Sequence, residues 1–176
     1  MRRLWASVGS VVFFFVAPGT VAGFVPWWIT KWRSQPPFPS FPSFHWVGPV
    51  LILAGLVPFV GSFWRFAWQG LGTPAPIAPP TRLVVSGFYR YVRNPMYVAL
   101  IVILVGEAVL FADRRVLVWA AVFWLITHLF VRVVEEPALA RAFGTDYEAY
   151  RANVPRWIPR LAPWTPPSTK PGNSGT

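Results

Sequence analysis

Two short polar segments hold the residue types that could carry out chemistry in this chain. The first, residues 86–97, reads SGFYRYVRNPMY and comes directly before an apolar stretch. The second is the pair Glu135-Glu136, near the end of the following apolar stretch. The chain has only six acidic residues, and none precedes Glu107. Because ionisable side chains inside a membrane are costly, two adjacent carboxylates just within its boundary indicate a polar cofactor site at the rim of a membrane bundle.

The end of the first polar segment has the signals of a helix start. Asn94 is a suitable N-cap residue, and Pro95 fits the first helical position, where a missing N–H costs nothing. The free backbone donors and the positive dipole at such a start favour an anion, and Arg90 and Arg93 stand just before it. Two interpretations remain open: the arginines bind the anionic part of a ligand, or they face lipid phosphates.

The last apolar stretch ends with polar residues at helical spacing. His128, Arg132 and Glu135 follow each other at i, i+4 and i+7, and Glu136 lies four residues after Arg132. This spacing predicts that one carboxylate pairs with Arg132, leaving the other for a ligand. The alternative is a salt bridge of small energetic value near the interface. We interpret His128 as a hydrogen-bonded histidine between helices rather than a catalytic one.

Beyond the twin glutamates the pattern predicts two short helices. The first ends at Gly144, and a capping box at 145–148 starts the second. Tyr147 and Tyr150 lie on the apolar face of that second helix. The helix either covers the loop before Asn94 as a lid or lies passively along the membrane surface.

Composition indicates an integral membrane protein. Hydrophobic residues make up 55% of the 176 residues, charged residues only 12%, and the mean hydropathy is +0.46. Four stretches are long and apolar enough to cross a bilayer. They are 4–30, 47–64, 96–112 and 116–134. We therefore predict an all-α, multi-pass transmembrane helix bundle of about four spans with short cytoplasmic C-terminal amphipathic helices, forming one domain over 1–162, before a disordered Pro-, Ser- and Gly-rich tail over 163–176.

The distribution of charge predicts the orientation. Of the 16 basic residues, 12 fall on one side of a four-span path. The positive-inside rule then places both termini and residues 65–95 in the cytoplasm of a cell-membrane protein. The net charge of +10 is accounted for by attraction to anionic membrane lipids, so we expect no nucleic-acid partner. The first 23 residues imitate a secretory signal, but the apolar run continues past them, so we expect an uncleaved span.

The absence of cysteine excludes disulfides, thiolate chemistry and cysteine metal sites, and we predict no metal centre.

The two motifs resemble a known family. SGFYRYVRNPMY, followed by an apolar helix and then by EEPALARAFGTDYEAYRANVPRWIP, is similar to the isoprenylcysteine carboxyl methyltransferase-like proteins and the related phospholipid N-methyltransferases. The resemblance covers residues 82–160. It implies a small multi-pass enzyme that moves a methyl group from S-adenosylmethionine to a lipophilic acceptor, such as a prenylcysteine carboxylate or a lipid headgroup.

The resemblance also implies a cofactor pocket that opens to the cytosol, whereas it names no catalytic residue. In the family an Arg-His-Pro motif with a following tyrosine and a Glu-Glu pair contribute to this pocket. The matching positions here are Arg93, Asn94, Pro95, Tyr97, Glu135 and Glu136. We add Tyr89, whose ring is of a type that packs on adenine or on the sulfonium. Asn94 replaces the family's histidine: its amide can hydrogen-bond but cannot titrate, so we expect no proton acceptor there.

Two other functions remain as alternatives. A non-catalytic membrane protein on the same scaffold would account for Asn94, and a nicotinamide-dependent reductase of related architecture is the second. The acceptor also stays open among a prenylated cysteine, a phospholipid headgroup, an isoprenoid and a small thiol. A carboxylate acceptor would need no general base, whereas an amine would have to lose a proton.

Overall fold

A computed structural model describes residues 16–35, 46–69 and 83–166, without the side chains of 66–69. Within these ranges all regular elements are helical, as predicted. A helical segment starts at residue 16 and passes through a π-helical stretch, Thr20–Phe24, into α1. The α-helices are α1 (Val25–Thr30), α2 (Val47–Gln69), α3 (Pro95–Leu110), α4 (Arg114–Phe130) and α5 (Glu136–Asn153). A 3-10 turn, Gly87–Arg90, precedes α3, and a π-helical turn, Val131–Glu135, joins α4 to α5.

Small residues bring α2 and α3 into close contact. A Cβ atom added to Gly48 would lie 2.8 Å from the Gly106 carbonyl oxygen, and one added to Gly55 would lie 2.7 Å from that of Ala99. Glycine at these positions allows backbones to approach, as is common between membrane helices. Since the earlier residue of α2 faces the later residue of α3, the helices run antiparallel. The end of α2 therefore lies beside the segment that precedes α3.

A shared apolar core joins α2, α3 and α4. Its buried residues are Phe59, Ala99, Leu100, Ile103, Leu104, Ala120 and Phe123. The turn into α4 is capped by Asp113, whose side chain accepts a hydrogen bond from the Arg115 N–H at 2.9 Å. Because this turn reverses the chain, the residues before α3 and those after α4 lie at the same end of the bundle.

Among the described residues, two helices are long and apolar enough to cross a membrane. They are Val47–Arg65 and the continuous stretch Arg114–Asn153, whose apolar part is α4. Side chains on their outer faces, such as Leu53, Val57 and Ile126, are more than half exposed, which suits contact with lipid. The helix α3 has only 16 residues, or about 24 Å, against a hydrocarbon core of about 30 Å. The structure thus supports membrane association, while four crossings remain a prediction; the span 4–30 lies partly outside the described residues.

The helix α5 packs over the chain that precedes α3. Gly144, at φ 50° and ψ −124°, breaks the helical geometry at the position where the sequence predicts an interruption. The buried face beyond it, Tyr147, Tyr150 and Val154, contacts hydrophobic residues that include Leu83, Val85, Phe143 and Trp164. Of the two interpretations of this helix, the contacts match the lid rather than a helix lying passively on the membrane. Within the stretch 163–176, Trp164 is hydrogen-bonded to the Arg90 carbonyl at 3.0 Å, and residues 167–176 lie outside the described part.

Candidate active site

The two polar segments meet at one end of the bundle. Arg93, just before α3, donates from Nη1 to Glu136 Oε1 at 2.7 Å, and the two side chains are 10% and 11% exposed. This contact confirms the prediction that the segment 86–97 and the twin glutamates face each other. It follows from the antiparallel course of α3 and α4.

Glu136 lies at the centre of an ion-pair cluster made of Arg93, Glu136 and Arg156. Arg156 donates from Nε to Oε1 at 2.6 Å and from Nη2 to Oε2 at 2.8 Å, a bidentate arrangement. Burial acts to raise the pKa of Glu136, but the Arg156 hydrogen bonds and the charges of both arginines outweigh it and hold that pKa below its usual value. Glu136 is therefore ionised and fully engaged with the protein itself.

The predicted pairing of a carboxylate with Arg132 is wrong. Arg132 is exposed, and among the described residues no hydrogen bond or ion pair connects it to either glutamate. The reason is the π-helical turn Val131–Glu135, in which the Glu136 N–H donates to the Val131 carbonyl five residues back. This turn breaks the 3.6-residue register on which the i, i+4 spacing relied. The two glutamates consequently turn toward the segment before α3.

The predicted capping role of the Asn94 side chain is also wrong. The helix α3 does begin at Pro95, with Asn94 at the cap position, but no hydrogen bond joins the Asn94 side chain to the helix. Its Nδ2 donates instead to the Arg156 carbonyl at 3.1 Å. The Arg93 N–H donates to the Pro155 carbonyl at 2.9 Å. Arg93 and Asn94 are therefore both hydrogen-bonded to the same C-terminal segment. Asn94 therefore positions that segment, and Arg156 with it.

Beside the ion-pair cluster lies a second group of polar atoms, the Glu135 pocket, made of Tyr89, Tyr97 and Glu135. Oε2 of Glu135, the hydroxyl of Tyr89 and the adjacent Nε of Arg93 are buried without a hydrogen-bond partner. Glu135 ends the π-helical turn Val131–Glu135 and so follows α4, the apolar part of that helix. Burial, and after it the charge of Glu136, raises the pKa of Glu135 to about 7. Burial and then the charge of Glu135 raise the pKa of Tyr89, so these two groups lie close together.

The second half of α5 covers this pair of clusters. The Tyr150 hydroxyl donates to the Tyr89 carbonyl at 2.7 Å, and Arg93 Nη1 lies 3.4 Å from the Tyr147 hydroxyl. Both tyrosines are buried. The spacing of Tyr147 and Tyr150 identified them as an apolar helix face, whereas their contact with the site follows only from the fold.

Sequence reasoning missed Arg156 and Trp157. The only signal for them was their place in the second motif, because no helical spacing relates either residue to the glutamates. Trp157 donates from Nε1 to His128 Nδ1 at 3.0 Å, and the two rings stack at 5.9 Å. This bond confirms the interpretation of His128 as a hydrogen-bonded histidine. The ring of Tyr97 also packs against Trp157, with ring centroids 6.5 Å apart.

The predicted site residues lie at one end of α3 and α4. They are Tyr89, Arg93, Asn94, Pro95, Tyr97, Glu135 and Glu136. The structure divides them between the ion-pair cluster around Glu136 and the Glu135 pocket. In that pocket the Tyr89 hydroxyl and Glu135 Oε2 have no hydrogen-bond partner. Within the described residues no cluster of metal-ligating side chains is found.

Comparison with known proteins identifies the family of this chain. The model of the phospholipid methyltransferase family matches residues 43–146, more than half of the chain, and the chain belongs to this family. Protein-S-isoprenylcysteine O-methyltransferase of Schizosaccharomyces pombe is 36% identical over 80 residues. That match covers 45% of this chain and 34% of the relative, so the chain corresponds to about a third of the relative's length.

Proposed function

We propose that the protein is a membrane enzyme that transfers a methyl group from S-adenosylmethionine to a lipophilic carboxylate. The observation that carries this proposal is the set of three buried, unpartnered polar atoms on Tyr89, Arg93 and Glu135. Most buried polar atoms in folded proteins have a partner, so such a group indicates that a ligand completes the site. Membership of the family supports a methyltransferase over a nicotinamide-dependent reductase.

The unpartnered atoms fit the polar groups of S-adenosylmethionine. The Glu135 carboxylate would accept hydrogen bonds from an ammonium or from ribose hydroxyls. Arg93 Nε would donate to the cofactor's carboxylate, and the Tyr89 hydroxyl offers a further donor or acceptor. The ring of Tyr97 offers a face to a cation. The cofactor, once bound, supplies a methyl group activated by its sulfonium charge.

Other residues at this end would position the site rather than contact the cofactor. Glu136 is saturated by two arginines, so its role is to hold Arg93 and the C-terminal segment in place. Asn94 fixes the same segment through the Arg156 carbonyl, and Pro95 starts α3. The covering helix α5 would keep water away from the pocket, and holding the reactants in one geometry supplies most of the help that such a transfer needs.

Two arguments favour a carboxylate as the methyl acceptor: the chemistry of methyl transfer and the name of the similar protein from Schizosaccharomyces pombe. An ionised carboxylate can be methylated without a general base, and the Asn94 amide cannot accept a proton. The relative's own name describes O-methylation of an isoprenylcysteine. By analogy with that name, we propose that the acceptor of this protein is the carboxylate of a lipidated cysteine.

One observation favours a second acceptor, the amine of a phospholipid headgroup. An amine must lose its proton before it is methylated. Glu135, with a pKa of about 7, is suited to accept that proton at neutral pH. The family's designation as phospholipid methyltransferases agrees with this alternative.

We further propose that the site and both termini face the cytoplasm. The support is the excess of basic residues at the end of the bundle that holds Arg65, Arg90 and Arg93. A protease or thiol probe applied to sealed vesicles, with single cysteines introduced before α3 and at Arg114, would test this orientation.

The acceptor test uses detergent-purified protein with methyl-labelled S-adenosylmethionine. One sample receives an S-farnesylated N-acetylcysteine and the other an extract of membrane phospholipids. Label that alkali releases as methanol identifies a methyl ester, whereas alkali-stable label in a headgroup identifies N-methylation. Glu135→Gln should reduce labelling by about tenfold or more, whereas Glu148→Gln, a change at an exposed carboxylate, should not change it. Absence of labelled product from both acceptors would contradict the proposal.

A further inference from the structure

A cavity of about 590 Å³ lies between the end of α2 and the segment before α3. Its polar lining residues include Arg65, Ser86, Arg90, Tyr91 and Thr165. Among the described residues that line it, none is acidic. The cavity thus combines two positive charges with hydroxyl groups, and no carboxylate among its described lining residues neutralises them.

Arg65 brings one of these charges to the membrane boundary. It is the last residue of the apolar stretch Val47–Arg65, and its side chain is exposed. Gly87 has a φ of +57°, and a Cβ atom there would overlap the Arg65 guanidinium. The absence of a side chain at Gly87 therefore lets Arg65 lie against the backbone at the cavity wall.

Arg90 supplies the second charge in a fixed position. Its Nε donates to the Trp164 carbonyl at 2.7 Å, and its Nη2 donates to the Thr165 hydroxyl at 2.6 Å. Both acceptors are neutral, so these bonds orient the guanidinium without cancelling its charge. A guanidinium held in this way loses little side-chain entropy when an anion binds.

We propose that this cavity binds a phosphate group through Arg65 and Arg90, with the hydroxyls of Tyr91 and Thr165 as further donors. Arginine forks match phosphate oxygens, and paired charge-assisted hydrogen bonds are among the stronger polar contacts in proteins. Because Arg65 ends the apolar stretch of α2, the headgroup of an anionic membrane lipid is one source of that phosphate. A free phosphate ion is the other.

The phosphate site is separate from the Glu135 pocket and does not depend on the methyl-transfer proposal. None of its lining residues carries one of the unpartnered atoms of that pocket. The two sites are nevertheless connected, because Arg90 holds Trp164, and Trp164 packs on Tyr150 with ring centroids 5.8 Å apart. Tyr150 in turn binds the Tyr89 carbonyl. A phosphate on Arg90 would therefore stabilise the covering helix over the active site.

The test is equilibrium binding to the full chain in an uncharged detergent, with three probes. These are dihexanoylphosphatidic acid, dihexanoylglycerol and inorganic phosphate. We expect the phosphatidic acid to bind and the diacylglycerol, which has no phosphate, to bind at least about tenfold more weakly. Arg65→Gln should weaken phosphatidic acid binding about tenfold, and Arg65→Lys, which keeps the charge, should weaken it less. Arg114→Gln, at the opposite end of the bundle, is the matched control and should change nothing.

The three probes also distinguish the two sources of the bound phosphate, a lipid headgroup and a free phosphate ion. Binding of the phosphatidic acid alone supports a lipid headgroup, and comparable binding of inorganic phosphate supports a free anion. Equal binding of diacylglycerol and phosphatidic acid would overturn the proposal. Unchanged binding in Arg65→Gln would overturn it as well, because this exposed side chain can be replaced without disturbing the core.

Discussion

Glu135 and Glu136 are neighbours in sequence but occupy opposite environments. Glu136 is bound by Arg93 and Arg156 and has its pKa held below the usual range. Glu135 has an unpartnered oxygen, and burial raises its pKa to about 7. Glu136 joins the segment before α3 to the C-terminal segment through its two arginines, whereas Glu135 has a buried oxygen without a hydrogen-bond partner, which we propose a ligand fills.

The contrast between the two glutamates is informative because the burial of Glu135 costs stability. A buried carboxylate without partners lowers the stability of a protein, so it is usually retained where a function needs it. The ion-pair cluster beside it provides the rigid surroundings that such a group requires. Four experiments test whether the two glutamates differ in this way.

Replacing Glu136 should have the largest effect on stability. Glu136→Gln leaves Arg93 and Arg156 without their counter-charge in a mostly buried position, and we expect a loss of about 3 kcal/mol. Thermal unfolding in detergent, compared with Glu148→Gln, measures it. Glu148 makes only an exposed 3.5 Å contact with Arg151, so its replacement should be nearly neutral. Equal melting temperatures for the two variants would show that the cluster is not structural.

Replacing Glu135 should affect ligand binding instead. We expect Glu135→Gln to weaken adenosylhomocysteine binding by about tenfold or more, because a hydrogen bond to a charged acceptor is lost. Its melting temperature without ligand should stay the same or rise, since a buried uncompensated carboxyl is removed. Calorimetric titration and thermal unfolding on the same preparation give both values. If Glu135→Gln instead lowers the melting temperature and leaves adenosylhomocysteine binding unchanged, Glu135 has the structural role that we assign to Glu136.

The affinity for adenosylhomocysteine should depend on pH through Glu135. A ligand that donates hydrogen bonds to the ionised carboxylate lowers its pKa, so binding below pH 7 requires release of a proton. Affinity should therefore rise with pH up to about 7 and level off above it, with a slope of at most about tenfold per pH unit. Titrations between pH 5.5 and 8.5 test this, and Glu135→Gln should flatten the profile. An affinity that falls as pH rises would mean that the protonated form binds.

The smallest effect is expected at Tyr89. Tyr89→Phe removes an unpartnered hydroxyl and keeps the ring, so we expect adenosylhomocysteine affinity to fall about threefold to tenfold. The unliganded protein should be as stable as the wild type, because no internal hydrogen bond is lost. Tyr150→Phe is the contrasting variant, since its hydroxyl binds the Tyr89 carbonyl and its loss should lower the melting temperature.

Local signals in the sequence were enough to predict the helices. Uninterrupted apolar runs indicated α2, α3 and α4, and the Asn-Pro pair located the start of α3 at Pro95. The four-span path put Arg93 and the glutamates on the same side of the membrane, and the family resemblance assigned them to one pocket. Neither argument specified which side chains are in contact.

Tertiary contacts were beyond the reach of the sequence. The pairing with Arg132 assumed ideal helical spacing, and the π-helical turn that overrides it has no local signature. Arg156 reaches Glu136 from a segment after α5, and Asn94 turns away from its helix to hold that same segment. These contacts depend on how α5 folds back over the chain, which no residue spacing specifies.

The most direct test is an experimental structure of the protein with adenosylhomocysteine bound. We expect polar ligand atoms within hydrogen-bonding distance of Glu135 Oε2 and the Tyr89 hydroxyl, with Glu136 still bound by its two arginines. A ligand that binds Glu136 and displaces Arg156, or that lies away from both unpartnered atoms, would contradict it.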